Sequence, residues 1–596
     1  MNRERLFLGV EASAGGRRWV HALSERAEVL ASQIAQAHGL PDVLARVLAA
    51  RGVAPADAAR FLAPTIKELM PDPSDLTDMA AASVRIADAI ERGERVAIFG
   101  DYDVDGAASA ALLWRYLAPF GIEATIRIPD RITEGYGPNP EAIRELALAG
   151  ATLIVTVDCG TTSHEALEAA RAAGVDVVVL DHHQTGTSLP EAVAIVNPNR
   201  QDDLSGQGHL AAVGVVFLTV AAVSRELRQR GRPGRDLPDI LGLLDLAALA
   251  TICDVVPLIG FNRALVAKGL AVMRARTNPG LRALAEVARI SGPLDPYHLG
   301  YILGPRINAG GRIGEAHLGS RLLTVSDANE AAALADQLHR LNEERQAMER
   351  HMVADAEEEV AAEIGQGEGP PVLVAARSDW HPGIVGLIAA RLKERHRRPA
   401  FAIAFDASGK GSGSGRSVSG FDIGALVRGA VEAGILEKGG GHAMAAGLTI
   451  RRERLGAFRA HVETGTGNLA AELRRGEVLS IDGAVSAMGL TRSLLDHLES
   501  AGPYGSGHAP PLLALPRHRI DSSAVVGAGH VRATLKAQDG AVLSAIAFRA
   551  EETEVGRMLL DHRNRLVHVA GTPTLDRYRG RESVGFRIVD VAAAGL

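Results

Sequence analysis

Cysteine is nearly absent: two occur in 596 residues, Cys159 and Cys253. A disulfide framework is therefore excluded, and two thiols fall short of a cysteine-based zinc site. Aromatic residues make up only 4% of the chain, so few side chains are available to stack on nucleic-acid bases. No apolar run of about 18 residues free of charge occurs, and no membrane span is expected. The first residues, MNRERLFLGVEASAGGRRWV, lack the sustained apolar stretch of a secretory signal. The expected location is the cytoplasm. A basic excess is also missing. The net charge of −7 argues against a surface that attracts polyanions everywhere, but allows a local basic channel.

What is present is an ordinary globular balance, 47% hydrophobic and 23% charged. The length is too great for one core, and several domains are expected. Residues 1–75 are rich in Ala, Leu and Arg at helical spacing. From 76 to 324 strands and helices alternate. RVAIFG, EATIRIP, TLIVTVDCG and VDVVVLDHH read as strands, with amphipathic helices between them. That rhythm builds an α/β domain on a parallel sheet covered on both faces, whose ligands bind at the strands' carboxyl ends. Residues 325–366 lack proline and interior glycine and predict one long connecting helix. A smaller α/β region follows at 367–470, containing the Gly/Ser-rich GKGSGSGRSVSGFDI and KGGGHAMAAG. From 471 to 596 short β-rich runs separated by turns predict a β-barrel.

The polar tips carry the chemistry. FGDYDVDG places Asp101, Asp103 and Asp105 two residues apart, on one side of an extended segment. Later tips hold Asp158, then Asp181, His182 and His183, and LLDLAALATICDVVPL contributes Asp254. Each alone is ordinary: a strand-end Asp is commonly a helix cap, and an acidic cluster a solvated turn. Four such tips on one sheet edge predict an oxygen-rich site with one or two nitrogens. That donor set suits Mn²⁺ or Mg²⁺, and two ions better than one. Cys159 and Cys253 adjoin motif aspartates. In extended segments their sulfurs point the other way, so both are expected to be small core residues rather than ligands.

FGDYDVDG, TVDCG, VLDHHQ and ICDVVPL resemble the four motifs of the DHH phosphoesterase superfamily. GSGRSVSGFDI and GGGHAMAAG resemble its companion DHHA1 domain. With GPRINAGGRIG and a C-terminal barrel, the chain is similar to the branch of single-strand-specific 5′→3′ DNA exonucleases. The resemblance implies a multidomain α/β fold: a parallel-sheet DHH domain, a long helix, a smaller DHHA1 domain and an OB-like barrel. It implies Asp103 and Asp158 as ligands of one metal, with Asp101 beside them. It implies Asp105, Asp158, His182 and Asp254 as ligands of the second. His183 is then the group at the scissile phosphate and Asp181 its orienting acceptor. Ser414, Gly415, Arg416 and His442 are implied for substrate binding, with Arg131 and Arg306 or Arg312 as further phosphate ligands. The implied partners are single-stranded DNA with a 5′ phosphate, a single-stranded-DNA-binding protein and a helicase. The implied setting is DNA repair and recombination, and the default state is a monomer.

Two other readings fit parts of the pattern. One is a DHH phosphodiesterase of short oligonucleotides or cyclic dinucleotides, whose members usually lack the barrel. The other is an inactive single-strand-binding scaffold, against which the intact motif carboxylates speak. A manganese-dependent pyrophosphatase shares the logic of the first domain but not GSGRS and GGGH. The basic run LKERHRRP (392–399) reads as a solvated helix face that could line a strand path, and Tyr504 as a turn aromatic or a base-stacking ring.

Overall fold

The structure, a computed structural model, describes residues 5–131, 133–365, 369–467, 478–561, 565–578 and 581–595. Two expected boundaries, 366/367 and 470/471, fall outside the described residues. The chain forms two compact units, Leu69–Arg475 and Met1–Glu68 with Gly476–Leu596.

The larger unit opens with the expected parallel sheet. Its strands are β1 (Val96–Gly100), β2 (Thr125–Arg127), β3 (Leu153–Val157), β4 (Asp176–Leu180) and β5 (Ala194–Val196). They lie in the order β2-β1-β3-β4-β5, all parallel. β1 and β3 are buried at every residue, which is why they read as unbroken apolar runs. Three helices converge on the carboxyl edge: α1 (Val104–Leu117), α2 (Ala212–Gln229) and α3 (Leu244–Cys253).

The last of these corrects the sequence reading. Asp254 is not a strand tip; it caps the C-terminus of α3. LLDLAALATIC is apolar almost throughout because the helix is buried nearly all round, and such a run carries no period to separate helix from strand. Cys253 is accordingly the last residue of a helix and not part of an extended segment.

Helix α4 (Gly304–Ile313) follows, then the long helix α5 (Ala328–Ile364), 37 residues, capped by the Asp327 carboxylate. Its buried residues, among them Leu334, Leu338, Arg345, Met352 and Val360, recur at three- and four-residue intervals along one face. The second half of that face packs on the smaller sheet. That sheet comprises β6 (Leu373–Arg377), β7 (Ala400–Phe405), β8 (Lys410–Arg416), β9 (Lys438–His442) and β10 (Ala445–Arg451), ordered β9-β10-β8-β7-β6. Helix α6 (Val385–His396) lies between β6 and β7, and α7 (Ile423–Glu432) between β8 and β9. KGSGSGR is therefore a central strand, although Gly/Ser-rich composition by itself favours a flexible segment.

In the second unit, strand Arg18–His21 pairs in parallel with Val478–Ile481. The expected barrel is present. Leu513–Val526, His530–Lys536, Val542–Ala547, Arg581–Ala593 and Leu566–Tyr578 pair in that order, and the last closes on the first. No helix among the described residues is long and apolar enough to cross a membrane.

Candidate metal centre

The acidic motif turns sharply out of β1. Asp103 is the N-cap of α1, its Oδ1 accepting from the amides of Asp105 (2.9 Å) and Gly106 (3.2 Å). Gly106 is obligatory here, because a Cβ would lie 2.4 Å from the Asp101 carbonyl oxygen. Asp105 points across to α2 and accepts from the amides of Ala212 (2.7 Å) and Val213 (2.9 Å) at that helix's N-terminus. Asp158 follows β3 with φ +61°, a left-handed backbone that re-aims its carboxylate toward the aspartates of β1.

Three groups of side chains can each hold a cation, their ligand atoms within 4.8 Å of one another: Asp101, Asp103 and Asp158; Asp105, His182 and Asp254; and Asp158, His182 and His183. Asp158 and His182 each belong to two of them, so the groups form one centre. Oδ1 of Asp101, Oδ1 of Asp158 and Oδ2 of Asp254 are buried and accept no hydrogen bond from the described residues. An orphaned carboxylate oxygen is expensive unless a cation occupies its lone pairs. Burial, and then the neighbouring aspartates, push Asp101, Asp158 and Asp254 well above the usual carboxylate range. The same causes lift Asp105 to about 7. These are the conditions that a pair of divalent ions relieves.

The imidazoles are set from behind. His182 Nδ1 lies 3.0 Å from the Leu210 carbonyl, so Nδ1–H donates there and Nε2 presents its lone pair to the cluster. Nε2 is 3.3 Å from Asp158 Oδ1 and 3.7 Å from Asp254 Oδ2. Burial and the adjacent His183 lower the pKa of His182 to about 4, which favours the neutral, ligating form. Asp181 lies behind the pair. It accepts from His183 Nδ1 (2.8 Å), the His182 amide (2.7 Å) and the Thr161 hydroxyl (2.7 Å). Burial opposes its charge, but the His183 and Thr161 hydrogen bonds win and hold the carboxyl well below its usual range. Burial likewise opposes the charge on His183, and the contact with Asp181 overcomes it, raising His183 to about 9.

The thiols stay out of the centre. Cys159 Sγ is directed at the Val157 carbonyl (3.4 Å) and Cys253 Sγ at the Leu299 carbonyl (3.4 Å).

Arginines collect beside the carboxylates. Arg131 lies over the Tyr102 ring, 4.8 Å from its centroid. Arg312 donates to the Gly383 carbonyl (3.1 Å). Burial, and then Arg131, lower its pKa to about 10. Arg416 donates to the Ser414 hydroxyl (2.7 Å) and the Gly415 carbonyl (2.8 Å). It is lowered by burial and by Arg131 in turn. Among the described residues none of the three has a carboxylate within ion-pair distance.

Other expected residues lie elsewhere. Arg306 turns to the Ile302 carbonyl (2.7 Å) and His339 Nδ1 (3.2 Å). His442 ends edge strand β9 with an exposed side chain. In the basic run, Arg395 and His396 pair with Glu357 on α5. Tyr504 stacks on His508 at 5.0 Å and bonds the Leu498 carbonyl, which makes it a turn aromatic.

Comparison with known proteins decides the family. The chain is 36% identical to the single-stranded-DNA-specific exonuclease RecJ of Escherichia coli K12, over 91% of this chain and 95% of that protein. The Bacillus subtilis protein of the same name is 32% identical, over 94% of this chain and 69% of its own length. The chain belongs to the RecJ family. The crystal structure of RecJ in complex with Mn²⁺ from Thermus thermophilus matches with a TM-score of 0.78 at 30% identity, covering 94% of this chain and 78% of that one. The Mg²⁺ complex from that organism matches with 0.72 at 28%, covering 95% and 77%. Domain models match at 95–251 (DHH family, N-terminal domain), 369–465 (DHHA1 domain) and 481–590 (RecJ OB domain).

Within this RecJ frame, three residues outside the motifs hold the site together. The Tyr136 hydroxyl donates to the Asp158 carbonyl (3.1 Å) and sits 3.1 Å from His183 Nδ1. Asn197 Nδ2 donates to the His183 carbonyl (2.9 Å), and Asn199 Nδ2 to that of His182. Tyr136 lies in the same PDRITEGYG stretch as Arg131, and the asparagines form VNPN directly after β5. Their position at the carboxyl edge of the sheet was the available signal.

Proposed function

We propose that this chain is a metal-dependent exonuclease that hydrolyses single-stranded DNA from its 5′ end to mononucleotides. The observation that carries the reading is the set of buried, donor-free oxygens on Asp101, Asp158 and Asp254, converging with the lone pair of His182 Nε2. Asp101, Asp103 and Asp158 would hold one Mn²⁺ or Mg²⁺, and Asp105, Asp158, His182 and Asp254 the other. Bound there, the ions supply Lewis-acid activation of water and of the phosphodiester.

The remaining work falls to the chain itself. Among the described residues Arg416, Arg312 and Arg131 have no carboxylate within ion-pair distance, and they would bind the 5′-terminal phosphate, with Ser414 placing the Arg416 fork. His442 lies farther along the same domain as a further substrate ligand. His183 is held by Asp181 and Tyr136, and the Asp181 contact favours its protonated form, so it is placed to give a proton to the leaving 3′-oxygen. The new P–O bond forms from water as the P–O3′ bond breaks. The phosphate stays on the shortened strand as its next 5′ end.

The same reading places a monomer in the cytoplasm, acting in DNA repair and recombination. A helicase and a single-stranded-DNA-binding protein would supply its strands. Sedimentation and co-purification from cell extract test those points.

The activity is tested with Mn²⁺ and a single strand carrying a 3′ label and a 5′ phosphate, beside a blunt duplex and Asp158→Ala. A ladder of 3′-labelled products shortening from the 5′ end, absent for duplex and variant, is expected. Strand binding without cleavage would overturn the enzyme reading. Cleavage only of fragments a few nucleotides long would point to an oligonucleotide phosphodiesterase.

A further inference from the structure

In a chain with seven tyrosines, two adjacent ones are left in solvent. Tyr297 is 60% exposed and Tyr301 74%. Their rings stack on each other, centroids 5.2 Å apart and planes 25° off parallel. They belong to a π-helical segment, His298–Leu303, with Tyr297 just before it. The wider π turn brings side chains four residues apart nearly into line, and such turns are concentrated at functional sites.

The segment is fastened to the metal centre's own helix. Cys253 Sγ lies 3.4 Å from the Leu299 carbonyl, and Gly304 approaches that sulfur so closely that a Cβ would sit 2.5 Å from it. Asp254 is the next residue after Cys253. Val255 and Ile259, on the loop beyond Asp254, are 68% and 48% exposed and add apolar surface next to the metal ligand. Arg306, turned away from the carboxylates, donates to the Ile302 carbonyl of the π-helical segment itself. Among the described residues it has no carboxylate within ion-pair distance. Exposed stacked rings on the same helical run as a guanidinium that makes no close ion pair among the described residues match the chemistry of single-stranded nucleic acid: bases for the rings, phosphate for the cation.

We propose that Tyr297 and Tyr301 form a base-stacking platform that grips the single strand away from its 5′ end, with Arg306 as its phosphate contact. The inference rests on the exonuclease reading for its substrate class, but its test does not require cleavage. Binding of a 5′-phosphorylated ten-nucleotide strand to the full-length protein is followed by fluorescence anisotropy with Ca²⁺ in place of Mn²⁺. The strand is used intact and with one abasic residue at each position in turn. An abasic residue at one or two positions a fixed distance from the 5′ end is expected to weaken binding about 10-fold. Tyr297→Ala with Tyr301→Ala should weaken the intact strand equally and abolish the abasic penalty at those positions. Tyr297→Phe with Tyr301→Phe should keep both affinity and penalty. Failure to find any position whose penalty vanishes in the alanine variant would overturn the platform, and would leave the rings to a protein partner. Loss of cleavage in the unaltered protein, with this pattern intact, would instead sink the exonuclease reading and spare the platform.

Discussion

Asp158 shows how much the fold invests in single side chains at this site. A left-handed backbone costs a non-glycine residue about 1 kcal/mol. The turn is held by the Asp158 amide donating to Leu180 (3.0 Å) and by the Tyr136 hydroxyl on its carbonyl. The result is a carboxylate whose Oδ1 has no donor among the described residues. The metal-free chain should therefore be penalised by its own site. Asp105, at about 7 when folded against 3.8 ordinarily, ionises in the unfolded chain first. The stability its proton confers is complete below about pH 4 and is lost as pH rises through 7, a loss of a few kcal/mol in order of magnitude. The melting temperature of the metal-free protein should fall from pH 5 to pH 8, and saturating Mn²⁺ should remove the fall. A flat metal-free profile across that window would contradict the account. Asp181 makes the opposite case, since its charge is already satisfied by protein donors. Asp181→Asn should lower kcat about 10- to 100-fold while leaving bound Mn²⁺ unchanged by calorimetry, because it orients the histidines without ligating. Loss of a bound ion would make it a ligand instead.

At the scale of elements, legibility followed period. β1, β3 and β4 were readable as apolar runs ending in polar tips, and the long helix from its composition. α3 was not, because a helix buried all round has no polar face to betray its turn. The GSGSGR strand is hard to read for a different reason. Its alternation of glycine with serine or arginine has period two, but Gly/Ser composition masks it. The structure shows what the alternation does. Gly411, Gly413 and Gly415 lie under Phe405, Ile403, Leu448 and Phe401, while Ser414 and Arg416 share the opposite face. A Cβ on Gly413 would sit 2.7 Å from Leu448 Cδ1 and 2.9 Å from Ile403 Cγ1. Gly413→Val should thus destabilise the small sheet by roughly 1–3 kcal/mol, seen as a lower melting temperature. An unchanged transition would mean that the sheet has room the structure does not show.

At the scale of the whole chain, the sequence reading treats the first 75 residues and the last 126 as separate segments. The structure folds residues 1–68 with the C-terminal unit. Nothing local in the sequence signals this, because the pairing spans more than 400 residues: Arg18–His21 with Val478–Ile481. Helix Asp42–Ala50 places Leu44 and Leu48 in one core with Leu513, Leu515 and Val567 of the barrel. Asp590 is fully buried and is satisfied largely from the N-terminal segment, by Ser13 Oγ (2.6 Å), the Gly15 amide (3.0 Å) and Trp19 Nε1 (3.1 Å). Removing those partners would strand a buried charge, at a cost of about 3–5 kcal/mol, and bare the apolar face that receives Leu44 and Leu48. A small barrel has little stability to lose. Residues 478–596 expressed alone should show no cooperative thermal transition, and adding a peptide of residues 5–68 should restore one. Trp19 is the only tryptophan in either piece, so its emission should shift to the blue on association. A sharp transition for the C-terminal piece alone would show that the N-terminal segment decorates the barrel; its absence would show that a module split across both ends of the chain folds as one.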